Sequence, residues 1–207
     1  MIFSEEKIAE LHQRVRGEMS EFRFSHTAGV EKAAIALGEL YMPEAIDELR
    51  VAALLHDITK ELSTEEHIAL MKKHGVSVSD NDLRSPKILH EKTAELAVNE
   101  RYSEFATDRV CQALRYHTTG NADMTVFDAL IYLADYIEET RKFEDCVRLR
   151  EYFWSAEPQK MDKAQREKHL WKTVLFSLEM TVEDIIRNAG YVSEETLYAR
   201  EAVANRI

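Results

Sequence analysis

Residues 49–60 read LRVAALLHDITK. Leu49, Ala52, Ala53 and His56 recur at the spacing of one helix face. The apolar run Val51–Leu55 leads straight into an imidazole beside a carboxylate, His56-Asp57. The same period continues outward in both directions. Ile8, Leu11, Val15, Met19 and Phe22 draw one stripe after Ser4, a candidate cap with Glu5 and Glu6 in the first turn. Val30, Ala33, Ala34, Leu37 and Leu40 draw a second, and Pro43 falls at a turn or first helical position before the third. Ser63 to Glu66 forms a capping box that opens a short helix ending near Gly75. Residues 76–86, VSVSDNDLRSP, read as a loop. Helices are expected over about 87–101, 106–117, 125–140 and 162–180, with a last pair on either side of Gly190. The fold class is all-α: a single helical bundle over 1–207, with its core at about 8–180 and a helical extension at about 181–207.

Composition agrees. The 207 residues include six glycines and three prolines, far below the roughly 12% of average usage. With so few chain breakers, a sandwich or barrel with a turn every 8–12 residues or so is excluded. No two glycines lie closer than nine positions, so no glycine-rich phosphate loop exists. The net charge of −11 argues against a sequence-independent grip on nucleic acid. An anionic substrate must therefore meet locally concentrated positive charge. Cys111 and Cys146 form neither a C-x-x-C pair nor a disulfide framework, which fits a reducing compartment. The longest apolar runs, Val51–Leu55 and Ala129–Ala134, are far short of the roughly 20 residues that span a bilayer. The opening MIFSEEKIAE has no basic and apolar leader pattern. A cytoplasmic protein without membrane or nucleic-acid partners is expected.

Eight histidines fall into two sets. His12, His67, His74 and His169 lie in charged or mixed surroundings and read as solvated. His26, His56, His90 and His117 each end or begin an apolar stripe, and Asp57 and Asp135 join them, the latter on the face of Phe127, Ile131 and Ala134. One such histidine is more often a hydrogen-bonded core residue than a ligand. Four with two inward carboxylates are a different matter, because a buried acid needs a cation or several donors. A metal centre of imidazoles and carboxylates satisfies all six, and that donor set suits iron, manganese, cobalt or zinc. Adjacent His56 and Asp57 project about 100° apart on a helix, so a shared site needs them at a helix end, where Thr59–Leu62 leads out. Lys60, three residues beyond Asp57, shares its face if the helix continues.

Five ordered blocks carry a resemblance: RFSHTAGV (23–30), AALLHDITK (52–60), LHEKTAELA (89–97), RYHTTG (115–120) and MTVFDALIYLADYIEETRKF (124–143). Together they resemble the YqeK family of bacterial HD-domain proteins, within the HD superfamily of metal-dependent phosphohydrolases, over roughly residues 8–180. The resemblance implies an HD-domain helical bundle that hydrolyses diadenosine tetraphosphate symmetrically to two ADP with bound iron; manganese, cobalt or zinc remain alternatives, as one ion or two. It implies metal ligands at His26, His56, Asp57 and Asp135. His90 and His117 match two further histidines that hold a second metal or face the substrate phosphates, and both roles stay open. Arg23, Lys60, Thr118 and Arg141 match phosphate-contacting positions, and Asp57 and Lys60 are the implied catalytic pair. The chain departs from the family's pattern at Asn121, where Arg is frequent, and at Glu139-Thr140, where Pro-Asn is common. These departures bear on nucleotide preference rather than on the chemistry. Three alternatives remain: another nucleotide phosphohydrolase, a catalytically silent nucleotide-binding regulator, and a structural adaptor that leaves the buried acids unexplained. Tyr152, Phe153 and Trp154 either complete the core or form a homodimer contact, with the core expected.

Overall fold

The computed structural model describes residues 2–207. Helix α1 (Glu5–Glu18) opens where the Ser4 hydroxyl accepts the Lys7 N–H, and it buries Ile8, Leu11 and Val15. It stops at Met19, and Ser20 caps α2 (Glu21–Tyr41) by accepting from the Arg23 N–H. The first apolar stripe is therefore broken. Phe22, expected on it, stands in the first turn of a new helix and is 80% exposed. Ser20 followed by Glu21 is a helix-start signal, and it overrides the period that carried the stripe through.

A 3-10 turn at Pro43–Ala45 leads to α3 (Ile46–Leu55), and the Ser63/Glu66 capping box opens α4 (Thr64–Lys73) as expected. The segment read as a loop contains a short helix, α5 (Asp80–Arg84), started by a capping box between Ser79 and Asp82. Then follow α6 (Leu89–Arg101), α7 (Asp108–Tyr116), α8 (Val126–Ile137), α9 (Glu144–Ser155), α10 (Lys163–Arg187) and α11 (Glu194–Ala204). Helix α9 lies outside the segments whose periodicity predicts a helix. Its apolar face is only Cys146, Leu149 and Phe153, a narrow stripe on an otherwise charged helix. The described residues contain eleven α-helices and no strand, so the all-α class holds.

Helix α8 is buried from Phe127 to Asp135, with Asp128 and Asp135 as its charged residues, the pattern of a central helix. Helices α2, α3, α7, α9 and α10 pack around it. Gly38 of α2 lets α3 come close, since a Cβ there would lie 2.8 Å from Leu49 Cδ1. Helix α11 folds back on α10 and buries Ala199 and Val203. No helix of the described residues is long and apolar enough to cross a membrane.

Two histidines read as solvated are buried. His67 bonds the Thr93 hydroxyl through Nδ1 at 2.8 Å, and His169 bonds the Phe153 carbonyl at 3.0 Å while stacking on its ring. Their charged sequence neighbours occupy the outward faces of α4 and α10, so local polarity misplaced them. Phe153 is fully buried, but Tyr152 and Trp154 beside it remain partly exposed, so only the central residue of that run completes the core.

Candidate metal centre

The helix ends position the site. His56 is the C-cap of α3, and from there the backbone tightens into i→i+3 turns: Leu55 O accepts from Ile58 N, and Asp57 O accepts from Lys60 N at 2.9 Å. Such turns eclipse residues three apart. The tightening therefore turns both His56 and Asp57 inward and brings Lys60 Nζ to 3.9 Å from Asp57 Oδ1. His117 caps the end of α7, Asp135 lies in the last turn of α8, His90 in the first turn of α6, and His26 in the second turn of α2.

These groups converge. His26 Nε2 lies 2.8 Å from Asp135 Oδ1 and 3.7 Å from Asp57 Oδ2. His56 Nε2 lies 3.5 Å from Asp57 Oδ2 and 3.6 Å from Asp135 Oδ1. His117 Nε2 and His90 Nε2 lie 3.7 and 3.4 Å from Asp57 Oδ1, and 2.9 Å from each other. Two groups have the compactness of a cation site, His26/His56/Asp135 and His56/Asp57/His117, and they share His56.

The far side of each ring decides its tautomer. His56 Nδ1 meets the Ala53 carbonyl at 2.7 Å, His117 Nδ1 the Leu114 carbonyl at 2.8 Å, and His90 Nδ1 the Lys87 carbonyl at 2.7 Å. His26 Nδ1 meets the Glu138 carboxylate at 3.0 Å. Carbonyl and carboxylate oxygens only accept, so Nδ1 carries the proton in all four, and Nε2 faces the shared centre. This is the arrangement of imidazoles that hold metals, each oriented by an acceptor behind it. His56 is the sharpest case. Its ring is fully buried, burial depresses its pKa and keeps it neutral, and its Nε2 has no hydrogen-bond partner. A buried, unbonded lone pair costs free energy that a cation would recover. The residues present thus fit a divalent metal with nitrogen and oxygen ligands.

The carboxylates, by contrast, have partners. Arg23 Nη1 lies 2.6 Å from Asp57 Oδ2, and Arg141 Nη2 lies 2.5 Å from Asp135 Oδ1 while its Nε bonds the Asp135 carbonyl. Buried acids alone therefore do not single out a metal here; the imidazole without a partner is what fits one. Burial disfavours ionisation of Asp135, but the Arg141 guanidinium and the His26 ring beside it outweigh burial and hold its pKa well below the usual carboxylate range. Burial also opposes a charged His26, yet Asp135 and Glu138 on its two sides raise its pKa to about 9. At Lys60, burial lowers the pKa against the pull of Asp57.

All ten residues singled out in the sequence meet here. Besides the six central groups and the two arginines, Lys60 Nζ lies 2.9 Å and Thr118 Oγ1 3.1 Å from His90 Nε2. Two further residues went unread. Glu138, at the end of α8, backs His26 and accepts from Thr140 N and Oγ1, both at 2.6 Å. It sits against Gly29, where any Cβ would collide with its carboxylate. Glu91 is buried and accepts from Thr118 N, Thr119 N and Thr119 Oγ1 at 3.0–3.1 Å, fixing the turn after His117. Their only sequence signal was position: one follows His90, the other lies three residues beyond Asp135.

Above the centre opens a cleft of about 630 Å³ whose wall includes Arg23, His26, Lys60 and Arg141.

Comparison with known proteins agrees with this geometry. The HD domain family matches residues 23–140, a span that begins at Arg23 and stops one residue short of Arg141. The symmetrical bis(5'-nucleosyl)-tetraphosphatase of Halalkalibacterium halodurans is 33% identical over 138 residues, covering 67% of this chain and 72% of that protein. The protein of the same description from Bacillus subtilis is 31% identical over 129 residues, covering 62% and 68%. A crystal structure from Clostridium acetobutylicum, described as a predicted HD superfamily hydrolase involved in NAD metabolism, superposes with a TM-score of 0.81 at 26% identity over 99% of both chains. The ordered histidines and aspartates, the helical bundle that gathers them and these likenesses converge: the chain belongs to the HD-domain family, with YqeK-like relatives.

Proposed function

We propose that this chain is a metal-dependent phosphoanhydride hydrolase that cleaves dinucleoside polyphosphates, cutting diadenosine tetraphosphate at its central bridge to give two ADP. The observation that carries the reading is His56 Nε2, buried and without a hydrogen-bond partner between two carboxylates while Nδ1 is turned to the Ala53 carbonyl. The names of the two tetraphosphatase relatives support the substrate. His26, His56, Asp57 and Asp135 would hold the ion, with iron favoured by the family resemblance. His90 and His117 either complete a second position through the shared His56 or bind phosphate. When bound by these residues, a divalent cation would supply a Lewis acid able to lower the pKa of water and polarise a phosphoryl oxygen.

The chain's own groups do the rest. Arg23 and Arg141 are fixed at opposite carboxylates and reach the cleft, so their remaining N–H groups are placed for phosphate oxygens on two sides. Lys60, donating toward His90 from the cleft wall, is placed to stabilise charge on the leaving oxygen. The Thr118 hydroxyl, held by Glu91 through its backbone, adds a neutral donor. Asp57 touches more of the centre than any other group: His26, His56, His90 and His117 all lie within 3.7 Å of its oxygens. The two free cysteines accord with a cytoplasmic setting.

The test combines metal content after purification without oxygen with product analysis: two ADP from diadenosine tetraphosphate, against ATP plus AMP or free phosphate. NAD joins the panel because of the Clostridium relative's description. Asp57→Ala is expected to abolish hydrolysis and metal retention together. Full turnover with undiminished metal in that variant would refute the assignment.

A further inference from the structure

The chain has eight phenylalanines, and six are buried or packed against the core. The other two, Phe22 and Phe143, are 80% and 71% exposed, the two most exposed large apolar side chains among the described residues. Both line the same cleft, above the histidine and aspartate centre, together with Arg23, Lys60, Arg141 and Lys142. On a body of net charge −11, four cations and two bare aromatic rings are thus gathered at one opening.

Their order in the chain adds a symmetry. Phe22 immediately precedes Arg23, which is fixed on Asp57. Phe143 follows Arg141 by two residues, and Arg141 is fixed on Asp135. Each ring is therefore tethered to one of the two arginines that flank the centre. Neither ring serves the fold. Phe22 lies on the outer side of the first turn of α2, and Phe143 precedes α9 without making a side-chain cap. An exposed phenylalanine beside a guanidinium is a stacking platform next to an anion site, the combination that binds a base and its phosphate together.

We infer that Phe22 and Phe143 are the base-stacking residues of this site, each receiving one nucleobase of a two-ended nucleotide whose phosphates run between Arg23 and Arg141. The inference rests on the proposed nucleotide hydrolysis, but its test stands apart. A cleft of about 630 Å³ is within the range of ligand sites, and its open mouth suits bases that lie partly in solvent. Stacking on one aromatic ring is worth roughly a five- to hundredfold change in affinity.

The experiment uses metal-loaded protein, calorimetric titration with ADP and with inorganic pyrophosphate, and the variants Phe22→Ala, Phe143→Ala and each Phe→Trp. The wild type is expected to bind ADP more tightly than pyrophosphate. Because ADP carries a single base, the wild type should take it up at both rings, and each alanine variant should weaken one of these sites by about five- to a hundredfold while the other is kept, with pyrophosphate unchanged within about twofold and tryptophan restoring the weakened site. Equal losses for ADP and pyrophosphate, or no loss for ADP, would overturn the inference. A loss confined to one variant would overturn the two-ended arrangement. A change of oligomeric mass with ADP affinity intact would assign the rings to self-association instead. Hydrolysis of diadenosine tetraphosphate by the wild type is scored separately. Its absence, with the ADP effect present, would reject the substrate and leave the stacking role standing.

Discussion

The residue behind His26 offers the most exacting test of the centre. Glu138 is 1% exposed, and its two oxygens accept three hydrogen bonds, from His26 Nδ1, Thr140 N and Thr140 Oγ1. Glu138→Gln keeps the shape and replaces one acceptor oxygen with a donor NH2. Either orientation then sets the amide NH2 against an obligate donor: the Thr140 N–H in one, and His26 Nδ1–H in the other, where only the Thr140 hydroxyl can turn to accept. Leaving a buried donor unpaired costs about 1–3 kcal/mol. The ring of His26 also loses the negative partner that orients it and raises its basicity. Losing such a partner typically lowers metal affinity by about 10–100-fold, or about 1.4–2.8 kcal/mol. The assay is competition with a chelator of known affinity, read beside a denaturant melt that confirms a folded protein at the assay temperature. Metal affinity should fall at least about tenfold while the folded fraction stays complete. Affinity within about twofold of wild type in a folded Glu138→Gln would refute the idea that the acid orients His26 for a ligand role.

Gly29→Ala tests the same contact from the other side. Its methyl collides with the Glu138 carboxylate, whose carbon would lie 3.0 Å away. The variant should lose metal affinity in the same direction as Glu138→Gln, and the two losses should fall short of additive, because each removes the same support; full additivity would show that the glycine acts elsewhere. Acid sensitivity has a separate source at the first residues. Asp47 is buried, which raises its pKa, but the Phe3 N–H at 2.8 Å and the Ile2 N–H outweigh burial and leave it below the ordinary value. A depressed folded pKa gives stability that is present above the unfolded value of about 3.9 and is lost as pH falls through the folded one. Asp47→Ala should therefore cost about 1–2 kcal/mol in urea melts at pH 7, and the gap to wild type should narrow below about pH 4. A gap independent of pH would show that packing, not the charged hydrogen bonds, explains it.

What was legible in the sequence was whatever repeats locally. Helix periods and caps need only neighbours three or four residues away, so Ser4, the Ser63/Glu66 box and the stripes around Leu49 and Val30 could be read directly. Six of the site residues, His26, His56, Asp57, His90, His117 and Asp135, were legible because inward polar groups interrupt those stripes, and a helix end is where the adjacent His56 and Asp57 can face one centre; the phosphate-contacting places of Arg23, Lys60, Thr118 and Arg141 came from the family resemblance alone. What failed were the places where a short-range signal competes with the period, or where the partner is distant in sequence. At Phe22 a new cap at Ser20 defeats a stripe that otherwise fits, and the ring it exposes becomes one of the two that line the cleft. Glu138 meets His26 across 112 residues, and Glu91 meets Thr119 across 28. No period encodes such a pairing, and a glutamate after an apolar helix ordinarily reads as a solvated terminus. The chemistry of the centre was thus legible in its ligating atoms and hidden in what orients them. The charge argument illustrates the same division. Two inward aspartates implied a cation, and the cations closest to them prove to be Arg23 and Arg141, so the acids alone no longer discriminate. Discrimination rests on an imidazole whose Nδ1 is anchored to Ala53 and whose Nε2 is left without a partner, a fact about hydrogen bonds that only the folded chain supplies.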